Sequence, residues 1–340
     1  MRVVLVTGVS RYLGGRFARE LASDPAVERV VGVDVVPPVD SLGAAEFVRA
    51  DIRNPVIAKV IASADVDTVV HMNVIATPQS MGGRTLMKEV NVIGTMQLLA
   101  ACQKASSVRK LVVKSSSTVY GASPKDPALF TEEMEPRALP RSGFAKDSVE
   151  VEGYVRGFSR RRPDVVVATL RFANCLGPGV RTPMSAYFEL PVIPRILGFD
   201  PRLQFVHEDD MIECLRRCTL EDHPGTYNVA GDGVLTLSQA ARRTGKPTVS
   251  MPGTLLSALG GFGRRTRLVD FSPEQMSFLT YGRGIDTRRM RDRVGFAPHW
   301  TTAATFAEFV RSRDMRGPLE SERLEAIEDR VLDVLAGGRR

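Results

Sequence analysis

The stretch RSGFAKD, residues 141–147, places a serine and a lysine four residues apart, Ser142 and Lys146. Apolar residues follow at helical spacing from Phe144 to Val155, which predicts a helix that begins here. A lysine ammonium at the start of such a helix can hold the sugar of a nucleotide and lower the pKa of a neighbouring acid. The chemistry therefore depends on which acid accompanies Lys146.

A second group of residues, TGVSRYLGG at 7–15, lies where an apolar run turns into a helix-period stretch. Glycines in such a turn let the backbone approach a diphosphate, and the first N–H groups of the helix face the anion. Asp34 follows Gly14 by 34 − 14 = 20 residues, where a carboxylate accepts ribose hydroxyls and repels a 2′-phosphate. The pattern predicts NAD, with NADP less favoured. The predicted contacts are Gly8, Arg11, Tyr12, Leu13, Gly14 and Asp34.

These residues need a scaffold, and the first half of the chain indicates one. Five apolar runs are typical of short buried strands, at 3–7, 29–34, 68–72, 110–115 and 165–171. Helix-period stretches separate them, at Tyr12–Leu21, Val56–Ala62, Leu86–Lys104 and Ala145–Phe158. Continuous apolar strands that alternate with helices predict an α/β fold with a doubly wound parallel Rossmann sheet, covered on both faces.

The sequence changes character after Arg171. Residues 173–203 are rich in proline and glycine, a helix is predicted at Asp209–Leu220, and the run at 226–230 is expected to rejoin the sheet. We therefore expect a Rossmann domain at 1–175, with 204–230 returning to it. Residues 176–203 and 231–315 would form a small discontinuous C-terminal substrate lobe. Residues 316–340 would form a peripheral helix or tail, because charges alternate there along a helical pattern.

Bulk composition excludes several classes of protein. The 340 residues are 43% hydrophobic and carry a net charge of +7, with the basic residues scattered, which favours small anionic partners over nucleic acid. Cys214 and Cys218 lie one helical turn apart, but two ligands are too few for a metal, so no metal site is predicted. We expect no membrane span, no disulfides and a cytoplasmic location.

A series of motifs points to a known family. Besides the glycine turn and Asp34, the chain contains RADIRN at 49–54, NVIGT at 91–95, SSSTVYG at 115–121, LRFANCLGP at 170–178, FVHEDD at 205–210 and GTYNVAG at 225–231. In this order they resemble an extended short-chain dehydrogenase/reductase of the NAD-dependent epimerase/dehydratase type, similar to UDP-glucose 4-epimerase. The resemblance covers nearly the whole chain.

The resemblance implies roles for further residues. Members move a hydride between a sugar or alcohol carbon and nicotinamide, while a Tyr-x-x-x-Lys pair and a Ser or Thr handle the proton. Lys146 matches the lysine, which also binds the nicotinamide ribose. Ser116 matches the hydroxyl residue, with Thr118 two residues later. Asp51 and Ile52 would flank the adenine.

The chain departs from this pattern at the tyrosine, where Ser142 stands. A serine hydroxyl is a weaker acid and too short to replace a phenol directly. One alternative is that another acid reaches the site, and the candidates are Tyr120, Tyr154, Tyr187, His207 and Glu208. A water held by Ser142 and Lys146 could instead relay the proton. In the third alternative, the site binds NAD without turnover.

Arg11 is a second departure, because similar proteins have glycine at this position. Its guanidinium could donate a charge-assisted hydrogen bond to the diphosphate. It could also narrow the site, or favour a 2′-phosphate against the effect of Asp34. NAD remains the predicted cofactor.

The substrate residues are predicted less directly. Asn174 matches a residue that contacts a sugar nucleotide or the nicotinamide, Tyr187 could line the cleft, and Arg202 lies one position from the usual diphosphate-binding arginine. The predicted function is transient hydride transfer in an epimerase/dehydratase-like oxidoreductase, acting on a sugar nucleotide or a related hydroxy-compound. The alternatives are a redox-silent NAD-binding scaffold or sensor and a dehydrogenase of an apolar alcohol or ketone. Helices near 86–104 and 145–158 are expected to form a homodimer.

Overall fold

The computed structural model describes residues 2–72, 83–137, 139–140, 142–254, 256 and 272–315. The helix or tail predicted at 316–340 lies outside these ranges.

Thirteen strands occur in the described ranges. In chain order they are β1 Arg2–Thr7, β2 Val27–Asp34, β3 Glu46–Arg49, β4 Thr68–His71, β5 Lys110–Ser116, β6 Val166–Phe172, β7 Asn174–Leu176, β8 Ile193–Ile196, β9 Arg202–Leu203, β10 Phe205–His207, β11 Gly225–Val229, β12 Leu235–Thr236 and β13 Thr248–Met251. Seven form one parallel sheet in the order β11-β6-β5-β4-β1-β2-β3. The strand order reverses between β1 and β4, where doubly wound sheets open a crevice for ligands.

Helices connect these strands. They are α1 Tyr12–Leu21, α2 Val56–Ser63, α3 Arg84–Lys88, α4 Thr95–Lys104, α5 Gly143–Arg161, α6 Pro183–Glu189, α7 Glu208–Leu220, α8 Leu237–Arg243, α9 Pro273–Tyr281 and α10 Thr302–Ser312. A π-helical segment, Glu89–Gly94, joins α3 to α4, so the stretch predicted as one helix contains a local change of pitch. A second π-helical segment spans Met290–Val294.

The sheet is buried on both faces because its strands are apolar without alternation. On one face, Val4 and Val6 of β1 pack with Phe17 of α1 and Leu215 of α7. On the other face, Leu5 of β1 lies in a cluster to which α2, α4 and α5 contribute. This double cover confirms the predicted doubly wound fold.

A third apolar cluster lies outside the large sheet. It joins α6, α8, α9 and α10, and it contains the aromatic residues Tyr187, Phe188, Phe205, Phe306 and Phe309. Two short strand pairs, β8 with β13 and β9 with β12, accompany it. These elements form a smaller unit beside the carboxyl edge of the sheet.

Most predicted strands are observed within one or two residues of their expected ends, and the run at 226–230 does rejoin the sheet, as β11. The sequence did not predict β3. Its four residues lie at the sheet edge and are only partly buried, so their composition lacks the apolar signal of the inner strands. Within the described ranges, none of the helices has the length and hydropathy needed to cross a membrane.

Candidate functional site

The turn after β1 has the geometry of a diphosphate-binding loop. Gly8 has a φ of 83°, which favours glycine. A Cβ on Gly14 would lie 2.1 Å from the carbonyl oxygen of Gly8, so α1 packs against the turn only without a side chain there. Arg11 is the N-cap residue of α1 and makes no side-chain capping bond. The first N–H groups of α1 are therefore oriented to receive an anion.

Asp34 lies at the end of β2, directly beside this turn. Its Oδ2 accepts hydrogen bonds from the N–H of Ser10, at 3.0 Å, and from the hydroxyl of Ser10, at 2.5 Å. Burial lowers the pKa of the Arg11 guanidinium, and the negative charge of Asp34 opposes that effect. The bonds to Ser10 thus hold the carboxylate beside the glycine turn, and this arrangement fits an adenosine ribose joined to a diphosphate.

Two other predicted cofactor residues, Asp51 and Ile52, follow β3. A bidentate hydrogen bond from Arg53 lowers the pKa of the Asp51 carboxyl. Ile52 is buried against the π-helical segment, where a Cβ on Gly94 would lie 2.7 Å from Ile52 Cδ1. Arg53 also pairs with Glu89 of that segment at 3.1 Å. These contacts join the segment after β3 to the π-helical segment.

Tyr12 and Leu13 begin α1 and have different surroundings. The Tyr12 hydroxyl donates to Glu208 at 2.7 Å, and its ring covers Gly179 so closely that a Cβ there would lie 2.0 Å from Tyr12 Cζ. Leu13 reaches a cavity of about 530 Å³. The cofactor turn and the cavity are thus neighbours.

The N-terminus of α5 forms another wall of the cavity. Ser142 is the N-cap residue, but its hydroxyl makes no capping bond. The carboxylate of Glu274, from α9, instead accepts the N–H of Ala145 at 3.1 Å. Ser142 and Glu274 both line the cavity. Lys146 does not, because its ammonium lies 3.8 Å from Glu150 and its side chain is 43% exposed.

An ion pair between the buried Asp147 and the partly exposed Arg84 fixes this helix end. Both terminal nitrogens of Arg84 donate to the carboxylate of Asp147 at 2.6 Å, and one also donates to the carbonyl of Gly143. Asn91 donates to Asp147 at 3.3 Å. Because Arg84 belongs to α3 and Asn91 to the π-helical segment, these bonds hold α5 in place beside the crevice.

The end of β5 brings hydroxyl groups to the cavity. Ser116 Oγ accepts the N–H of Thr118 at 3.2 Å, and both residues line the cavity. The Thr118 hydroxyl is buried and has no hydrogen-bond partner among the described residues. An unsatisfied buried hydroxyl beside a cavity is suited to a polar ligand.

Comparisons with known proteins agree with this geometry. Residues 4–230 match the NAD dependent epimerase/dehydratase family. The chain belongs to the NAD-dependent epimerase/dehydratase family. An uncharacterized protein of Mycobacterium tuberculosis is 46% identical over 337 residues, which cover 98% of this chain and 90% of that protein.

Solved structures of low sequence identity share the fold. The UDP-glucose 4-epimerase of Thermotoga maritima, solved with UDP-glucose, has a TM-score of 0.71 at 17% identity and covers 92% of this chain and 98% of its own. The dTDP-glucose 4,6-dehydratase of Bacillus anthracis, solved with NAD, has a TM-score of 0.70 at 20% identity, with coverages of 92% and 97%. NAD is the cofactor of this family, as the sequence predicts.

The five acids proposed to replace the family tyrosine do not line the described part of the cavity. Tyr120 is buried, where it donates to Asn228 and accepts from Arg171, and Tyr154 is exposed on α5. Tyr187 is fully buried, and its hydroxyl donates to the carbonyl of Pro194 at 2.6 Å. His207 caps α7 and stacks on Trp300, while Glu208 binds Tyr12 and Arg16. Each has a structural role or a distant position.

The predicted substrate residues also separate. Asn174 lines the cavity, at the start of β7. Tyr187 belongs to the core of the smaller unit, since it lies on α6 within the third apolar cluster and its ring makes an edge contact with Phe188. Arg202 is exposed beside a different pocket, which it shares with Phe199 and Tyr281. Neither Tyr187 nor Arg202 therefore contacts the cavity.

Glu274 and Lys114 are two of the cavity residues that the sequence-based prediction missed. Glu274 is 129 residues from Ala145, and no local pattern connects them. Burial raises the pKa of its carboxyl. Lys114 lines the cavity from β5. The sequence contained an indication of it, because a lysine interrupts the apolar run KLVVKS.

Proposed function

We propose that this protein is an epimerase/dehydratase-like oxidoreductase that acts on a sugar nucleotide or a related hydroxy-compound by transient hydride transfer. The main support is that the cavity holding Ser116, Thr118 and Ser142 adjoins the glycine turn through Leu13. A substrate in this cavity would lie beside the nicotinamide end of a dinucleotide that enters from the turn. Family membership supports the same kind of reaction.

Each part of the crevice has a role in cofactor binding under this proposal. Gly8 and the first turn of α1 would bind the diphosphate, and Asp34 would accept the adenosine ribose hydroxyls. Lys146 would rotate away from Glu150 to bind the second ribose. NAD, when bound, supplies the hydride acceptor.

The cavity lining suits a hydroxylated ring. Ionisable side chains line the cavity at Arg84, Lys114 and Glu274, and neutral donors and acceptors are more numerous, among them Ser115, Ser116, Thr118, Ser142, Asn174 and Gln275. The apolar part of the cavity lining comes from Met87, Phe144, Phe172 and Met184, which offer apolar surface to a sugar ring. We assign residues 176–203 and 231–315 to a substrate lobe, which contributes Met184 and Gln275.

We also propose a homodimer through the helices near 86–104 and 145–158. Large apolar side chains are exposed on both, with Ile93 at 42%, Met96 at 36% and Tyr154 at 40%. Exposed apolar groups on adjacent helices are typical of a surface that a partner covers. A second copy of the chain would bury them in a four-helix interface.

The function is tested with purified protein, NAD and a panel of nucleoside diphosphate sugars and simple hydroxy-compounds. Absorbance at 340 nm reports reduced cofactor, and NMR of the products reports epimerisation or dehydration. Turnover of at least one substrate, with transfer of deuterium from the substrate carbon to nicotinamide, would support the proposal. Saturable NAD binding with no product from the panel would instead support the redox-silent scaffold.

A further inference from the structure

Strand β5 carries two lysines on one face, and their environments differ. Lys110, Val112, Lys114 and Ser116 alternate along the strand, so their side chains point to the same side of the sheet. Lys110 is buried at the far end, where its ammonium donates to the carbonyls of Thr219 and Glu221 and pairs with Asp222 at 2.7 Å. These three oxygens give Lys110 a structural role.

Lys114 has no such partners. Its side chain is half-buried because part of it faces the cavity, and no described residue forms a hydrogen bond or ion pair with it. The titratable groups that interact electrostatically with it are Arg11 from the turn after β1, His71 from β4 and the Cys175 thiol from β7. None of these is a carboxylate. A buried ammonium without a counter-charge is unfavourable, so the neutral amine is favoured.

Burial and the charge of Arg11 both favour the neutral form of Lys114. Burial lowers the pKa of the Lys114 amine, and the positive charge of Arg11 lowers it further, although Cys175 acts in the opposite direction. Burial also lowers the pKa of His71 to about 4 and raises that of the Cys175 thiol, so both are uncharged at neutral pH. Lys114 thus lines the cavity in surroundings that favour the form of its amine that can accept a proton.

We propose that the amine of Lys114 is the proton-transfer group in this site, in the role that the family assigns to the tyrosine. This inference rests on the proposed function. Lys114 and Ser116 lie two residues apart on the same face of β5, and both line the cavity. Ser142 lines the same cavity, and its side chain is shorter than that of a tyrosine. The amine takes the proton of a substrate hydroxyl, forming an N–H bond as the O–H bond breaks. NAD, when bound, would supply the acceptor for the hydride of the carbon that bears this hydroxyl, so that this carbon would become a carbonyl.

The first experiment reads the amine directly and needs no substrate. Wild-type protein is treated with an amine-selective reagent across a pH series, and mass spectrometry measures modification at Lys114 and at the exposed Lys59 and Lys104. We expect the midpoint for Lys114 to lie at least about one pH unit below those of the exposed lysines, and NAD to protect it. A midpoint equal to theirs would overturn the proposal.

The second experiment compares Lys114→Met and Lys114→Arg, with Lys104→Met as a surface control. We expect both Lys114 variants to bind NADH within about threefold of wild type, because the amine acts on the substrate proton. Both should lose at least about 100-fold in kcat, since methionine has no basic group and a guanidinium stays protonated and cannot accept a further proton. Small alkylamines should restore turnover to Lys114→Ala. Weakening of NADH binding by more than about tenfold would identify Lys114 as an anion-binding residue and contradict the proposal.

The outcomes separate this proposal from the proposed function. If wild type turns over and Lys114→Arg is equally active, the Lys114 proposal is wrong while the function stands. If wild type shows no turnover with any substrate, the proposed function fails, and the labelling midpoint still tests whether Lys114 is a neutral amine.

Discussion

The carboxylate of Glu274 accepts the backbone N–H of Ala145, at 3.1 Å from Oε1 and 3.2 Å from Oε2. This bond performs at α5 the function that an N-cap side chain usually performs, although Ser142 occupies the N-cap position. The Ser142 hydroxyl is consequently left to face the cavity. The smaller unit, through α9, thus helps to position Ser142, the residue that the family resemblance places at the tyrosine position.

Glu274→Ala should destabilise the protein by about 1 kcal/mol, because it removes the acceptor of the Ala145 N–H. Glu274→Gln should cost less, since the amide oxygen keeps an acceptor and burial already raises the pKa of the carboxyl. Urea unfolding of the two variants measures both values. Equal losses for alanine and glutamine would show that the charge, rather than the hydrogen bond, stabilises α5.

The two lysines of β5 give a matched pair of stability measurements. Lys110→Met should lower the free energy of unfolding by about 2 kcal/mol, because it leaves the carbonyls of Thr219 and Glu221 without their donor. Lys114→Met should change it by less than about 0.5 kcal/mol or increase it, because an unpaired buried amine gives way to an apolar group. A large loss for Lys114→Met would show that Lys114 has a structural partner.

The fold could be predicted from the sequence where the pattern of residues that determines it lies within one short segment of the chain. The turn after β1 and Asp34 belong to one strand–turn–helix–strand segment, so spacing alone brings them together. Strand β3 lacked that signal because its residues are partly exposed at the sheet edge. The π-helical segment could not be predicted from the sequence, because its residues continue the apolar pattern of the helices on either side.

The site was less predictable because chain-distant contacts determine it. The sequence offered Tyr187 as a cleft residue, but an aromatic side chain in a Pro- and Gly-rich segment suits a core equally well, and the structure buries it. Glu274 reaches α5 only through tertiary packing. Lys114 is detectable from the sequence, because inner strands of a parallel sheet are buried and a charged residue is unusual there.

Arg11→Gly tests the departure within the glycine turn. If the guanidinium donates to the diphosphate, the variant should bind NAD about tenfold more weakly, which corresponds to the loss of one charge-assisted hydrogen bond. Calorimetric titration with NAD and NADP measures the effect. Tighter binding of NAD by Arg11→Gly would show instead that Arg11 narrows the site. A selective loss of NADP binding would show that Arg11 recognises a 2′-phosphate.

The proposed homodimer predicts a specific response to charge on its helices. Replacing both Ile93 and Met96 with glutamate should convert a dimer into a monomer, because two carboxylates would be buried at the interface. Light scattering coupled to size exclusion measures the mass, and the exposed Val39, 96% accessible in the β2–β3 loop, offers a control as Val39→Glu. A wild-type protein that is monomeric at micromolar concentration would contradict the proposed interface.

His71 should make stability fall as the pH decreases from 6.5 to 4. It is fully buried between the hydroxyls of Thr7 and Thr95, at 2.8 Å from each, and burial lowers its pKa to about 4. Between these pH values the unfolded chain binds a proton at this residue and the folded chain does not, so stability rises with pH. The expected slope is about 1.4 kcal/mol per pH unit, a total of about 3 kcal/mol. Unfolding of wild type and His71→Gln across this range isolates the contribution, because other titrating groups are common to both proteins. Parallel pH profiles for the two would show that His71 is already protonated in the folded state.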